Sequence, residues 1–189
     1  SGSNLQAIID KFESDETVEL SCVLSNKKDA YGLKRASEAN IDNFFVDHTN
    51  FPSREDFDRE LIGTLEKYKP DLVVLAGFMR ILSPLFVNKY SGKLINIHHS
   101  LLPKYKGLDT HKRVLDNNDE YHGVTVHYVD NTLDGGPICA QSSLKVETQD
   151  IDELQKAIHE LEHELYPWVI NQIANKKIYL SDGEIIKQA

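Results

Sequence analysis

Cysteine is scarce: Cys22 and Cys139 are the only two, both in apolar, strand-like surroundings. Two cysteines cannot build a disulfide framework, so free thiols buried in a reducing compartment are expected. Long apolar runs are missing too. No stretch approaches the roughly 18–20 residues of a membrane span, and none has the build of a secretory signal. The expectation is a cytoplasmic protein with no membrane partner. Basic charge is also in deficit, with 21 Lys and Arg against 30 Asp and Glu, a formal net charge of −9. No basic stretch offers a surface that could track phosphates, which argues against a nucleic-acid binder. A small anionic substrate stays open, because it needs only a local nest of backbone N–H groups. Methionine occurs once, at Met79, and there is no initiator methionine. The abrupt opening "SGSNLQAIID" reads as a turn entering a helix, so an upstream element, a central strand, is expected to be missing.

What the chain does have is alternation. At 189 residues it suits one domain, 1–189, with a sizeable core. Ser3 or Asn4 can cap a first helix, and strands are expected over 18–26, 44–46, 71–77 and 93–97. Helices are expected over 31–40, from Ser53, and around Pro84. Beyond residue 109 come a helix, strands over 122–129 and 137–146, and a long helix from Asp150 with Glu153 completing a capping box. Pro167 should kink that helix, and 177–180 suits a last strand. Strands alternating with helices imply an α/β fold: a doubly wound, mostly parallel sheet with helices on both faces. Ligands in such sheets bind beyond the carboxyl ends of the strands, where loops 1–4, 77–83, 96–107 and 130–136 should gather.

The stretch "LINIHHSLLPKY" concentrates the chemistry. Side chains alternate along a strand, so Asn96 and His98 share one face about 6.5–7 Å apart, while His99 points the other way. An amide beside an imidazole can bind an oxyanion and exchange a proton, or it can merely end a strand with paired polar groups. His99 reads as a packed or exposed residue. Among His98, His99, His122 and His127 the spacing of a metal site is absent, and so is Cys-x-x-Cys, so no metal is expected. "LDGGP" presents Asp134 on a turn in which Gly135 and Gly136 would supply positive φ. The alternative is a carboxylate that keeps an imidazole protonated and oriented. "GFMRIL" could line the slot of a flat ligand or be core. "GSN" at a helix start is a weak anion nest. Glu162, by periodicity, reads as a solvated residue on a helix whose apolar stripe is Ile151, Leu154, Ile158, Leu161, Leu165 and Trp168.

Taken together, "GSNLQAII", "SNKKDAYGLKRA", "SREDFDREL", "PDLVVLAGFMRILSP", "LINIHHSLLPKYKGLDTH", "HGVTVHYVDNTLDGGPI" and "EHELYP" resemble the folate-dependent phosphoribosylglycinamide formyltransferases of purine synthesis. The resemblance spans almost the whole chain. It implies transfer of the formyl group of 10-formyltetrahydrofolate to the amine of glycinamide ribonucleotide, by a monomer or homodimer, without a metal. It carries catalytic roles onto Asn96, His98 and Asp134. It carries phosphate binding onto Gly2, Ser3 and Asn4, and the glycinamide-binding acid onto Glu162, against the solvated reading. Folate binding falls on Arg54, Met79, Arg80, Ile81, Leu82 and Asn96, with 129–133 as a wall of the pterin slot. Two departures stand out. His99 replaces the family's usual proline, a feature shared with formyltetrahydrofolate deformylases, and the opening strand and first glycine of the nest are absent. A deformylase, and a non-catalytic folate- or nucleotide-binding domain, are the rival readings.

Overall fold

The computed structural model describes residues 1–188. They group into two compact units, Ser1–Leu94 and the residues from Ile95 onward, each mixing helices and strands.

The first unit runs α1 (Ser3–Phe12), β1 (Cys22–Ser25), α2 (Tyr31–Glu38), β2 (Asp42–Phe45), a 3-10 turn (His48–Asn50), α3 (Arg54–Leu65), β3 (Val73–Leu75) and α4 (Pro84–Lys89). Strands β1 and β2 pair in parallel, Cys22 opposite Asp42, with α2 as the crossover packed on both. A parallel pair requires such a crossover, and α2 supplies it. Helix α3 starts where the sequence marks it: the Ser53 hydroxyl accepts from the Asp56 N–H at 3.1 Å. Helix α1 does not start as expected. Neither Ser3 nor Asn4 caps it; both lie within the helix, and Gly2 occupies the cap position at φ 67°. A side chain there would meet the Gly32 backbone N at 2.9 Å, so the close approach of α2 requires glycine. Strand β3 buries only Val73 fully, less than its unbroken apolar sequence suggests.

In the second unit β4 (Leu94–His98, of which the unit takes Ile95 onward), β5 (Tyr121–Tyr128) and β6 (Ile138–Lys145) form an antiparallel run. The connection between β5 and β6 is the loop 129–137, too short for a parallel crossover, so the chain returns beside itself. Helix α5 (Thr110–Asp116) precedes β5, and the long α6 (Ile151–Ala174) packs on β5 and β6. Asp150 caps α6, accepting from the N–H groups of Asp152 and Glu153. Glu153 does not close a capping box; its carboxylate takes the Thr148 hydroxyl at 2.7 Å instead. The helix continues as one element through Pro167. Its buried face is Leu154, Ile158, Glu162, Tyr166, Val169 and Ile170, whereas Trp168 of the expected stripe is 48% exposed. Strands β7 (Ile178–Ser181) and β8 (Glu184–Lys187) form a hairpin. Its Asp182–Gly183 turn has φ of 50° and 81°, an Asp-Gly hairpin signal that marks β8 in the sequence.

Candidate active site

Strand alternation places Asn96 and His98 on one face of β4, and the β4–β5 register sets Asn96 opposite His127 and His98 opposite Thr125. His98 is buried at the strand end. Its Nε2–H donates to the Tyr105 carbonyl at 2.9 Å, and its Nδ1 stands 3.6 Å from an Asp134 carboxylate oxygen. A carbonyl only accepts, so the hydrogen bond places a proton on Nε2 and turns Nδ1 toward Asp134. The Nδ1 separation is too long for a good direct hydrogen bond and leaves that edge open to a reacting atom.

Asp134 is fixed from a second direction by the Gly107 N–H, which donates to it at 2.8 Å. The turn is built differently from the sequence expectation. Asp134 itself takes the left-handed conformation at φ 45°, and Gly135 and Gly136 do not. Their role is clearance: a side chain at Gly136 would lie 2.0 Å from the Tyr128 carbonyl oxygen.

His127 completes the cluster, although its sequence context suggests at most a metal ligand. Its Nδ1–H donates to the Tyr128 carbonyl at 2.8 Å, and burial pushes the ring's pKa down. Held neutral, it offers Nε2 as an acceptor to the Asn96 amide at 3.5 Å, which orients that amide. Its 3.9 Å contact to Asp134 is therefore no ion pair. The loop after His98 is pinned by Thr125, whose hydroxyl donates to the Ser100 carbonyl at 2.6 Å and accepts from the Leu102 N–H at 3.1 Å.

Glu162 is not solvated. It is 0% exposed, between Ile158 and Tyr166 on the inner face of α6. Its carboxylate meets the Nε2 of His99 at 2.5 Å. His99 thus faces away from the His98–Asp134 pair, as alternation requires, yet has a specific partner. Around it stand His111, stacked at 5.5 Å, and His159, edge-on at 6.2 Å. His111 shares a 2.9 Å hydrogen bond with His122. Burial lowers both pKa values to about 4, with repulsion from neighbouring histidines, His99 among them, adding to it. One signal for this cluster lies in the sequence: His159 and His163, four residues apart on a helix with Glu162 between them.

The first unit holds the remaining predicted residues. Gly2, Ser3 and Asn4 form the opening turn of α1. Arg54 sits exposed in the first turn of α3, 3.6 Å from Glu55. Met79 and Ile81 are 71% and 69% exposed, unlike core residues. Arg80 turns inward, its guanidinium 5.6 Å over the Phe57 ring. The segment ends at Ser83, whose N–H donates to buried Asp58 at 2.6 Å. Among the thiols, Cys139 is buried and Cys22 half-buried; both are free, and burial raises them to about 12 and about 11. Neither is an activated nucleophile.

An amide, an imidazole and a carboxylate gathered at a strand end suit acyl or formyl transfer, which needs an oxyanion donor and a proton carrier. The chain matches the Formyl transferase family over residues 1–170 and belongs to it. It is 48% identical over 184 residues to phosphoribosylglycinamide formyltransferase of Escherichia coli, covering 96% of this chain and 87% of that protein. The phosphoribosylglycinamide formyltransferase structure from Coxiella burnetii, solved with CHES, superposes at a TM-score of 0.94 with 46% identity, covering 99% of this chain and 89% of that one. Glycinamide ribonucleotide transformylase 1 of Symbiobacterium toebii superposes equally well, at 0.94, with 34% identity over 100% of this chain and 90% of its own. Among the described residues, no helix is long and apolar enough to cross a membrane.

Proposed function

We propose that the protein transfers the formyl group of 10-formyltetrahydrofolate to the amine of glycinamide ribonucleotide, giving formylglycinamide ribonucleotide and tetrahydrofolate. The observation that carries this is the Asn96–His98–Asp134 cluster in a chain of this family. The family match runs through both compact units, which supports reading 1–189 as one formyltransferase domain. We place it in the cytoplasm, as a monomer or homodimer.

The amine attacks the formyl carbon, a C–N bond forms, and the carbonyl electron pair moves onto oxygen. Asn96, oriented by His127, and the Nδ1 edge of His98 are the donors for that oxygen. A preorganised donor of this kind is worth roughly 10²–10³ in rate. Asp134 stabilises the imidazolium at the moment it carries that load. As the intermediate collapses, the bond to the folate nitrogen breaks, and the proton lost by the amine reaches that nitrogen through His98 or an Asp134-held water. The Gly2–Asn4 turn is assigned to the ribonucleotide phosphate and Glu162 to the amine end. Arg54 and Met79–Leu82 are assigned to the folate, with 129–133 as the pterin wall. The exposure of Met79 and Ile81 supports that assignment, since a flat apolar ring would cover them. Arg80, held on Phe57, is assigned to shaping the segment.

The deformylase alternative rests on His99. In this structure His99 engages Glu162 and not the His98–Asp134 pair, so it adds nothing that would activate water at the formyl carbon. Formyl-labelled folate tests the proposal. The label should appear in formylglycinamide ribonucleotide; label recovered only as formate would overturn it.

A further inference from the structure

We infer that His99, His159 and Glu162 form a binding site for a divalent transition-metal ion of the zinc class. The donor atoms of the three, two imidazole nitrogens and one carboxylate oxygen, all lie within 4.8 Å of one another. Zinc ligand atoms sit about 2.0–2.2 Å from the ion, so a shared cation needs them about 3.3 Å apart. The pair His99 Nε2 and Glu162 Oε1 is already at 2.5 Å. It opens slightly when a cation replaces the proton between them, and His159 closes in by a side-chain adjustment.

The placement is built, not incidental. His159 and Glu162 are three residues apart on α6, so they project from the same side of the helix. His99 reaches them from the end of β4. Its ring is backed by His111 at 5.5 Å, itself hydrogen-bonded to His122. Stacking on that hydrogen-bonded pair limits the rotation of the His99 ring. Glu162 is fully buried and so has little water to lose on taking up a cation. Two imidazoles and one carboxylate select zinc, cobalt or nickel; magnesium and calcium prefer all-oxygen shells. Three protein ligands leave a fourth position for water or another small ligand. None of the three belongs to the Asn96–His98–Asp134 cluster, and the site stands whether or not Glu162 also meets the ribonucleotide.

The test titrates the untagged full chain with Co²⁺, followed by its visible absorption, with Zn²⁺ as competitor. One equivalent should give the intense bands of low-coordinate Co²⁺, and Zn²⁺ should bleach them. His159→Gln should weaken binding beyond the roughly 10–100-fold that loss of an outer partner costs. His163→Gln, one turn along the same helix but outside the donor set, should keep the spectrum. A metal-free melting temperature for His159→Gln equal to that of the unmodified chain excludes a folding explanation. Should it melt lower, His99→Gln gives the same readout from a different element. Absence of the low-coordinate bands, or bands undiminished in both His159→Gln and His99→Gln, would overturn the inference.

Discussion

At the scale of single residues, the site separates groups that meet the reacting atoms from groups that aim them. In the proposed mechanism Asn96 and His98 act on charge that exists only in the transition state. Asn96→Ala and His98→Ala should each lower kcat by about 10²–10³ with folate affinity nearly unchanged. Full turnover in either would remove that residue from the mechanism. His127 is proposed to act through the Asn96 amide that it holds. His127→Gln, which keeps an acceptor, should retain more kcat than His127→Leu, with KM for folate alike in both. Equal losses would show that the ring only fills space. Glu162→Ala should act oppositely, raising KM for the ribonucleotide more than it lowers kcat, because the contact proposed for it is remote from the breaking bond.

These residues are unequally legible in the sequence. Asn96 and His98 follow from a period of two at a strand end, which needs no tertiary knowledge. Glu162 does not, because an amphipathic-stripe reading sorts a carboxylate to the solvent side by its chemistry. Its partner His99 lies more than 60 positions away, the flanking His159 and His163 only hint at a cluster, and the family resemblance alone gives it a role.

Elements position the groups. The loop carrying Met79–Leu82 is anchored at one end by the Ser83 N–H on Asp58, a buried carboxylate of α3, and in its middle by Arg80 over Phe57. Removing Asp58 leaves that amide buried without its acceptor, which costs about 1–3 kcal/mol. Asp58→Ala should therefore lower the melting temperature by several degrees and weaken folate binding, while Asp58→Asn, which can still accept, loses less. An unchanged melting temperature would mean that water replaces the carboxylate without loss.

Most elements are legible in the amino-acid pattern alone. Ser53 and Pro84 mark helix starts by local hydrogen-bonding rules, and both hold. The departures have a common cause. The α1 cap and the Asp134 turn depend on how closely another backbone approaches, Gly32 in one case and the Tyr128 carbonyl in the other. Such distances are not written in local sequence. The hairpin β7–β8 differs, because Asp182–Gly183 is a local signal that identifies its turn.

For the whole molecule, a buried histidine pair makes stability depend on pH. His111 and His122 fold with pKa values near 4, below the ordinary 6.5, because burial disfavours their charged forms. Between those values the unfolded chain binds protons that the folded one refuses, so stability rises with pH across that window. It should be complete above about 6.5 and fall progressively toward 4, with the melting temperature dropping several degrees. A flat profile from pH 7 to 4.5 would contradict the neutral pair. His122→Gln should flatten the slope.

A formyltransferase, unlike a deformylase, requires a second substrate as the acceptor. Release of tetrahydrofolate from 10-formyltetrahydrofolate, measured with and without glycinamide ribonucleotide, tests this most directly. Release should be slow with water alone and accelerate by orders of magnitude when the ribonucleotide is added. Equal rates in its presence and absence, with formate as the product, would contradict the transferase reading.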